Sequence, residues 1–221
     1  MKKYRAQVLI LASQLVLAST VYAQTYKVEN AGPPPVADLS KPLQEALDSQ
    51  GTRVVNDQGG TLLEVWLRKS VPTNRDANAS SDLLYASLSE GLFLGVLHFP
   101  AAGADFRGQA IKPGFYTLRY GLIPQDGNHM GVNPTRDVLV LCPVAVDNDL
   151  ATALKFDDLV KLGRQASGTA HPGVLVGAPV NGDSFPAVVK DDQGHWNLQV
   201  KVHGSGGELR IAFTVVGKWE G

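Results

Sequence analysis

A mainly β protein, an antiparallel β-sandwich of jelly-roll-like character with two short helices, is what this 221-residue chain encodes. Three observations carry that expectation. Apolar residues recur with a period of two through most of the chain, in about eight short runs. Glycine-rich turns separate those runs, within a total of 23 glycines. A helical apolar period is confined to two stretches.

The elements follow in order. Residues 24–39, with Pro33-Pro34-Pro35, read as an extended proline-rich leader without an apolar face, and residues 40–221 as one β-sandwich domain. Ser40 is placed to cap a first helix, with Pro42 in its first turn, an apolar stripe of Leu43, Ala46 and Leu47, and Gly51 as the stop. From Thr52 the period becomes two. Strands are expected at 52–56 and 61–68, joined by Asp57-Gln58-Gly59-Gly60. In the second of them Leu63, Val65 and Leu67 share one face, and Glu64, Trp66 and Arg68 the other.

The polar stretch 71–82 is expected to be a surface loop, and 92–99 and 115–123 further strands. The run Val138-Leu139-Val140-Leu141-Cys142 is continuously apolar, as in a strand covered on both faces. Residues 157–166 form the second helix, with Asp157 and Asp158 in its first turn, where the helix dipole favours carboxylates, and Gly168 as its left-handed terminator. A short strand at 174–176 precedes a three-stranded meander at 187–190, 196–202 and 209–216.

Residues 1–23 carry a different signal. Lys2, Lys3 and Arg5 precede an apolar run from Val8 to Val21, and Val21-Tyr22-Ala23 ends in the small residues that signal peptidase accepts. Cleavage before Gln24 is expected, and with it export to the periplasm or the extracellular space. The run is shorter than the roughly 20 residues a membrane span requires, so no transmembrane segment is expected after cleavage. No cysteine stands near the cleavage point for a lipid anchor.

Composition narrows the function. Residues 1–23 hold three of the 20 basic residues and no acidic one, leaving 17 basic against 21 acidic residues, or −4 with histidines neutral. A mildly acidic chain without a basic cluster argues against nucleic acid or an anionic membrane as partner. Cys142 is the single cysteine, so no intramolecular disulfide can form, and it reads as a small buried hydrophobe.

Candidate chemistry concentrates in 125–137, where Asp126, His129, Arg136 and Asp137 lie between two expected strands. His129 offers a base, the aspartates carboxylates, and Arg136 a fixed cation; Asp126-Gly127 and Asn133-Pro134 are equally good turn chemistry. Glu64, Trp66 and Arg68 form a second candidate, an aromatic platform flanked by charges that suits a glycan or peptide, unless Trp66 belongs to the core. No metal site and no cofactor are expected. His129-Met130 lacks further soft ligands for copper, and the five histidines lack zinc spacing. Asp147-Asn148-Asp149 lacks the spaced acidic loop that calcium requires. There is no nucleophile-elbow motif.

The segment from Phe99-Pro100-Ala101-Ala102-Gly103 through Lys112-Pro113-Gly114-Phe115-Tyr116-Thr117-Leu118-Arg119-Tyr120 to Asn128-His129-Met130-Gly131 resembles a family of uncharacterised exported proteins from soil bacteria of the acidobacterial type. The likeness extends to Glu64-Val65-Trp66 and Asp157-Asp158-Leu159-Val160, and it implies export and a β-sandwich without assigning an activity. Pro113-Gly114-Phe115-Tyr116-Thr117-Leu118 is similar to the P-G-x-Y-x-L corner of transthyretin-like and carboxypeptidase-regulatory-like sandwiches. Tyr116, Leu118 and Tyr120 would then face the core, and Arg119 the other side, where it joins the candidate ligand-binding residues.

The leading expectation is a non-catalytic, ligand- or protein-binding β-sandwich of the cell envelope, its partner a glycan, a peptide or an envelope protein. The alternatives are a structural envelope component, or a hydrolase of glycans or peptides that uses His129 with a nearby carboxylate. Clustering of Trp66, Arg119, His129 and Arg136 on one concave face would favour binding.

Overall fold

The computed structural model describes residues 24–74, 82–127, 129, 131 and 133–218. The expected signal sequence at 1–23, the Asn78-Ala79-Ser80 sequon and Met130 lie outside the described residues.

Among the described residues twelve strands and two helices follow one another as β1 (Tyr26–Gly32), α1 (Lys41–Ala46), β2 (Gly51–Asn56), β3 (Thr61–Leu67), β4 (Phe93–Phe99), β5 (Gly103–Ala104), β6 (Ala110–Ile111), β7 (Gly114–Leu122), β8 (Asp137–Pro143), α2 (Phe156–Ser167), β9 (Val174–Ala178), β10 (Ala187–Lys190), β11 (Trp196–Gly204) and β12 (Gly207–Val216). Ten strands make one antiparallel sheet, ordered β1-β2-β3-β4-β7-β8-β9-β12-β11-β10, and β5 and β6 pair separately. So large a twisted sheet curls on itself. Its two ends meet where Tyr26 packs edge-on against Trp196, ring centroids 5.5 Å apart at 70°. The outcome is the expected antiparallel sandwich, closed toward a barrel.

Period-two alternation builds this shape. Leu63 and Val65 of β3, Tyr116, Leu118 and Tyr120 of β7, and Leu139 and Leu141 of β8 point inward. Leu198 and Val200 of β11 and Ile211 and Phe213 of β12 meet them from the opposite wall in one continuous core. The outward residues of the central strands are covered too. Val138, Val140 and Cys142 of β8 lie under Leu159 of α2, which is why this strand is apolar throughout. Trp66, Phe93 and Val96 lie under Leu39, Leu43 and Leu47, contributed by α1 and the turns around it.

Two local expectations are corrected. The leader at 24–39 is in part a strand: β1 pairs antiparallel with β2, Val28 opposite Val54 and Glu29 opposite Arg53. The alternation Tyr26-Lys27-Val28-Glu29 is real, but too short to stand out beside the proline run. Gly51 does not end α1, which is capped at Leu47; it opens β2. A Cβ on Gly51 would lie 2.4 Å from Trp66 Nε1, so glycine makes room for the indole. Gly168 does terminate α2 in the left-handed conformation, with φ 67°. Among the described residues no helix is long and apolar enough to cross a membrane.

The junction of the two halves of the sheet is narrow. β9 and β12 pair only at Ala178–Ala212 and Gly177–Phe213. The Tyr85 hydroxyl is inserted there, accepting from Ala212 N–H at 2.7 Å and donating to Ala178 O at 2.7 Å. Its burial pushes the phenol pKa well above the ordinary value, which suits a structural bridge.

Candidate functional site

The candidate residues divide into three groups, and one concave face does not gather them. Glu64 and Trp66 stand on the outer face of β3. Trp66 is 2% exposed and its Nε1–H donates to Gly32 O at 2.9 Å, so of the two readings of this face, aromatic platform or core, the indole takes the core one, under α1. Glu64 accepts from Arg53 Nη2 at 2.7 Å, and its other oxygen lies 3.0 Å from His98 Nδ1. These are cross-strand neighbours, Arg53 opposite Glu64 and Glu64 opposite His98. Arg68 follows β3 and bridges to Leu47. Burial, and secondarily the charge of Arg119, lower its pKa.

Arg119 and Asp137 are buried braces. Arg119 donates from Nη2 to Asp147 Oδ1 at 2.7 Å and from Nε to Asp147 Oδ2 at 2.8 Å. Its remaining N–H groups reach the carbonyls of Gly91 at 3.1 Å, Thr152 at 2.9 Å and Asp149 at 2.5 Å. Asp147, the residue that suggested calcium, is thus the counter-charge of a buried arginine, and also accepts from Thr117 Oγ1. Asp137 is 1% exposed and accepts from Tyr120 Oη at 2.6 Å, Leu84 N–H at 2.9 Å and Tyr85 N–H at 3.0 Å. It holds the segment that delivers Tyr85 to the sheet junction. Neither residue is available to a ligand.

Asp126, His129 and Arg136 remain at the surface, where the structure is concave. His129 Nδ1 lies 2.7 Å from Asp126 Oδ1, with both side chains about half exposed. Arg136 donates from Nε to Ile123 O at 2.9 Å and from Nη1 to Asp82 Oδ2 at 2.8 Å. His129 borders two adjoining clefts, of about 460 Å³ and about 560 Å³, which also share Ile123, Pro124 and Asn133. Arg136 borders the larger. Asn133 Oδ1 is buried there without a hydrogen-bond partner among the described residues.

The smaller cleft is the better formed, because α2 sets its wall. Leu159 and Ala166 are buried on the sheet side of the helix, and Gly163 lets it sit close. A Cβ at Gly163 would fall 2.6 Å from Pro172 Cβ and 2.9 Å from Val140 Cγ1. Beside this contact the helix parts from the sheet. Val138, Val140 and Val174 form the floor, with Leu122 and Ile123 at one side and Ala170 and Pro172 at the other. Asp157, Val160, Lys161 and Arg164 face the cleft from α2, at spacings of three, four and seven residues that share one helical face. Arg107 and His171 complete the rim.

Of these lining residues, sequence reasoning named only His129 as a candidate. The signal available was the side of α2 that the core does not use, where Val160 stands between charged residues. Among the described residues the lining has no thiol and no serine, and across both clefts the one aliphatic hydroxyl is Thr135, whose Oγ1–H donates to Gly177 O at 2.8 Å. Cys142 lies in the core with its thiol pKa pushed up to about 12 by burial. Among the described residues no group of three or more histidine, cysteine, aspartate or glutamate side chains is arranged to hold a metal ion. Comparison of the chain with protein-family models, with curated proteins and with solved structures finds no match.

Proposed function

We propose that this chain is an exported, non-catalytic binding protein of the cell envelope, whose ligand is a small molecule with an apolar body seated between α2 and the outer face of β8. The observation that carries the reading is the cleft itself. Its volume of about 460 Å³ is in the range of small-molecule sites, and its floor is three valines from adjacent strands. A rigid sheet supplies the floor and a helix one wall, so the site exists before the ligand arrives. The buried Trp66 removes the feature that favoured a glycan, and the cleft's aliphatic lining favours a ligand with hydrocarbon surface over a bare sugar. Export rests on the basic and apolar pattern of residues 1–23.

The test is a thermal-shift screen of apolar small molecules, oligosaccharides and short envelope peptides, against the native chain and Ala170→Trp. Ala170 is exposed on the cleft rim, so an indole there fills the mouth without disturbing the core. A ligand at 100 times its Kd adds about 2.7 kcal/mol of stability. The expected result is stabilisation by an apolar small molecule that Ala170→Trp abolishes. Stabilisation by peptides or oligosaccharides that Ala170→Trp leaves intact would move the site elsewhere, and silence across the panel would favour a structural role.

One observation favours a second reading. The His129–Asp126 pair at the cleft mouth has the geometry of an oriented general base, able to activate water for hydrolysis. Loss of ester or glycoside hydrolysis in His129→Ala, with ligand binding retained, would establish it; hydrolysis unchanged by that substitution would remove it.

A further inference from the structure

We infer that the ligand of the α2 cleft is an amphipathic anion, an aliphatic body with one carboxylate or phosphate head; this rests on the cleft being the binding site. The cleft is chemically two-sided. Val138, Val140, Val174 and Leu159 line its depth, whereas among the described residues Arg107, Lys161 and Arg164 stand on its rim against the carboxylate of Asp157, the Asp126 carboxylate being held on His129 at the mouth. That balance runs against the chain as a whole, whose acidic residues outnumber its basic ones by 21 to 20. Cations concentrated beside an apolar floor on an acidic protein mark the place where an anion is attracted.

The three cations are free to act on a ligand to different degrees. Arg164 Nε–H donates to Ala170 O at 2.6 Å, which ties the side chain across the α2–β9 turn and leaves both terminal nitrogens to grip an oxyanion. Lys161, one helical turn back, makes no ion pair among the described residues. The Arg107 guanidinium acts electrostatically on the buried Asp105 carboxyl, which is otherwise held by Gln109, whose Nε2 donates to it at 2.6 Å. His171 and His129 border the same cleft. A charged head held at the rim lets the chain of the ligand cover the valine floor, so each half of the molecule meets the surface it requires.

The test compares decanoate with decanol by titration calorimetry on the full chain at low salt. The two probes share a hydrocarbon tail and differ in charge. Decanoate is expected to bind about tenfold more tightly, the lower range for a charge-assisted hydrogen bond, with the advantage shrinking as salt is added. Lys161→Gln with Arg164→Gln should equalise the two probes, and Ala170→Trp should abolish both. Should Arg164→Gln loosen the turn it ties, Arg107→Gln with Lys161→Gln gives a second reading, expected to reduce the decanoate preference.

Equal binding of both probes, each blocked by Ala170→Trp, overturns the anionic head and leaves the cleft as the site. A decanoate preference that survives both double variants also overturns it. Binding of neither probe removes the cleft reading together with the inference. Co-sedimentation with phosphatidylglycerol vesicles separates the sources of the head group. Decanoate binding without co-sedimentation assigns a free amphiphile, and co-sedimentation lost in Ala170→Trp assigns a bilayer lipid.

Discussion

Removing the carboxylate that neutralises Arg119 should unfold this protein far more readily than removing any surface charge. The side chains of Arg119 and Asp147 are 0% and 3% exposed, and two N–H···O contacts of 2.7 and 2.8 Å join them. In Asp147→Ala the guanidinium keeps its carbonyl partners but becomes a buried charge without a counter-charge. Such changes cost about 3–5 kcal/mol, against about 0–1 kcal/mol for an exposed pair. For a chain of this size each kcal/mol lowers Tm by about 2–4 °C, so the expected fall is about 6–20 °C. Thermal unfolding followed by circular dichroism reads it directly. Arg119→Met combined with Asp147→Leu should recover much of the loss, because replacing both charges leaves nothing buried and unpaired. A Tm loss below about 3 °C in Asp147→Ala would refute the reasoning, and so would a double variant worse than the sum of the singles.

Three further outcomes are expected. Tyr85→Phe strands the Ala212 N–H and the Ala178 carbonyl at the β9–β12 junction, so it should cost about 1–3 kcal/mol in urea denaturation and accelerate amide exchange at Ala212; an unchanged midpoint would show that the junction does not need the hydroxyl. Gly51→Ala puts a methyl group into the Trp66 indole and should destabilise by about 1–3 kcal/mol with a red shift of tryptophan emission, whereas emission identical to the native protein would contradict the packing. The Asp105 carboxyl pKa is raised from its ordinary 3.8, mainly by burial, so between that value and the raised one the folded state binds more proton than the unfolded state. Its stabilising contribution is full below that ordinary value and is lost as pH rises through the raised folded value. The Tm of the native protein relative to Asp105→Asn should therefore fall as pH rises through that window, and a relative Tm that rose would reverse the sign.

The fold was largely legible because its rules are local. The uninterrupted apolar run at 138–142 meant two covered faces, and β8 does lie between the core and α2. The acidic start and glycine end of 157–168 meant a helix there. What escaped was long-range. Arg119 and Asp137 looked like ligand residues because polar side chains in a strand are read as surface, yet they serve backbone groups more than 25 residues away, Arg119 bracing the carbonyl of Gly91 and Asp137 the amide of Tyr85. Trp66 followed its strand's alternation as expected, but nothing near it in sequence says that Leu43 and Leu47 fold over it. The cleft escaped for the same reason: its floor comes from residues 138–140 and 174, its wall from α2, and only their packing makes a concavity. The polar half of α2 was the legible fragment, since Lys161 and Arg164 share a face with Val160.

The most direct test of ligand binding in the α2 cleft is a backbone amide NMR titration of the full chain with decanoate. Shifts are expected to saturate and to cluster at Gly121, Leu122, Val138, Val140, Lys161, Arg164 and Val174, leaving the amides of Leu43, Leu47 and Trp66 unmoved. Saturable shifts centred on α1 or on the β10–β12 meander would contradict the account, as would a spectrum that decanoate leaves unchanged.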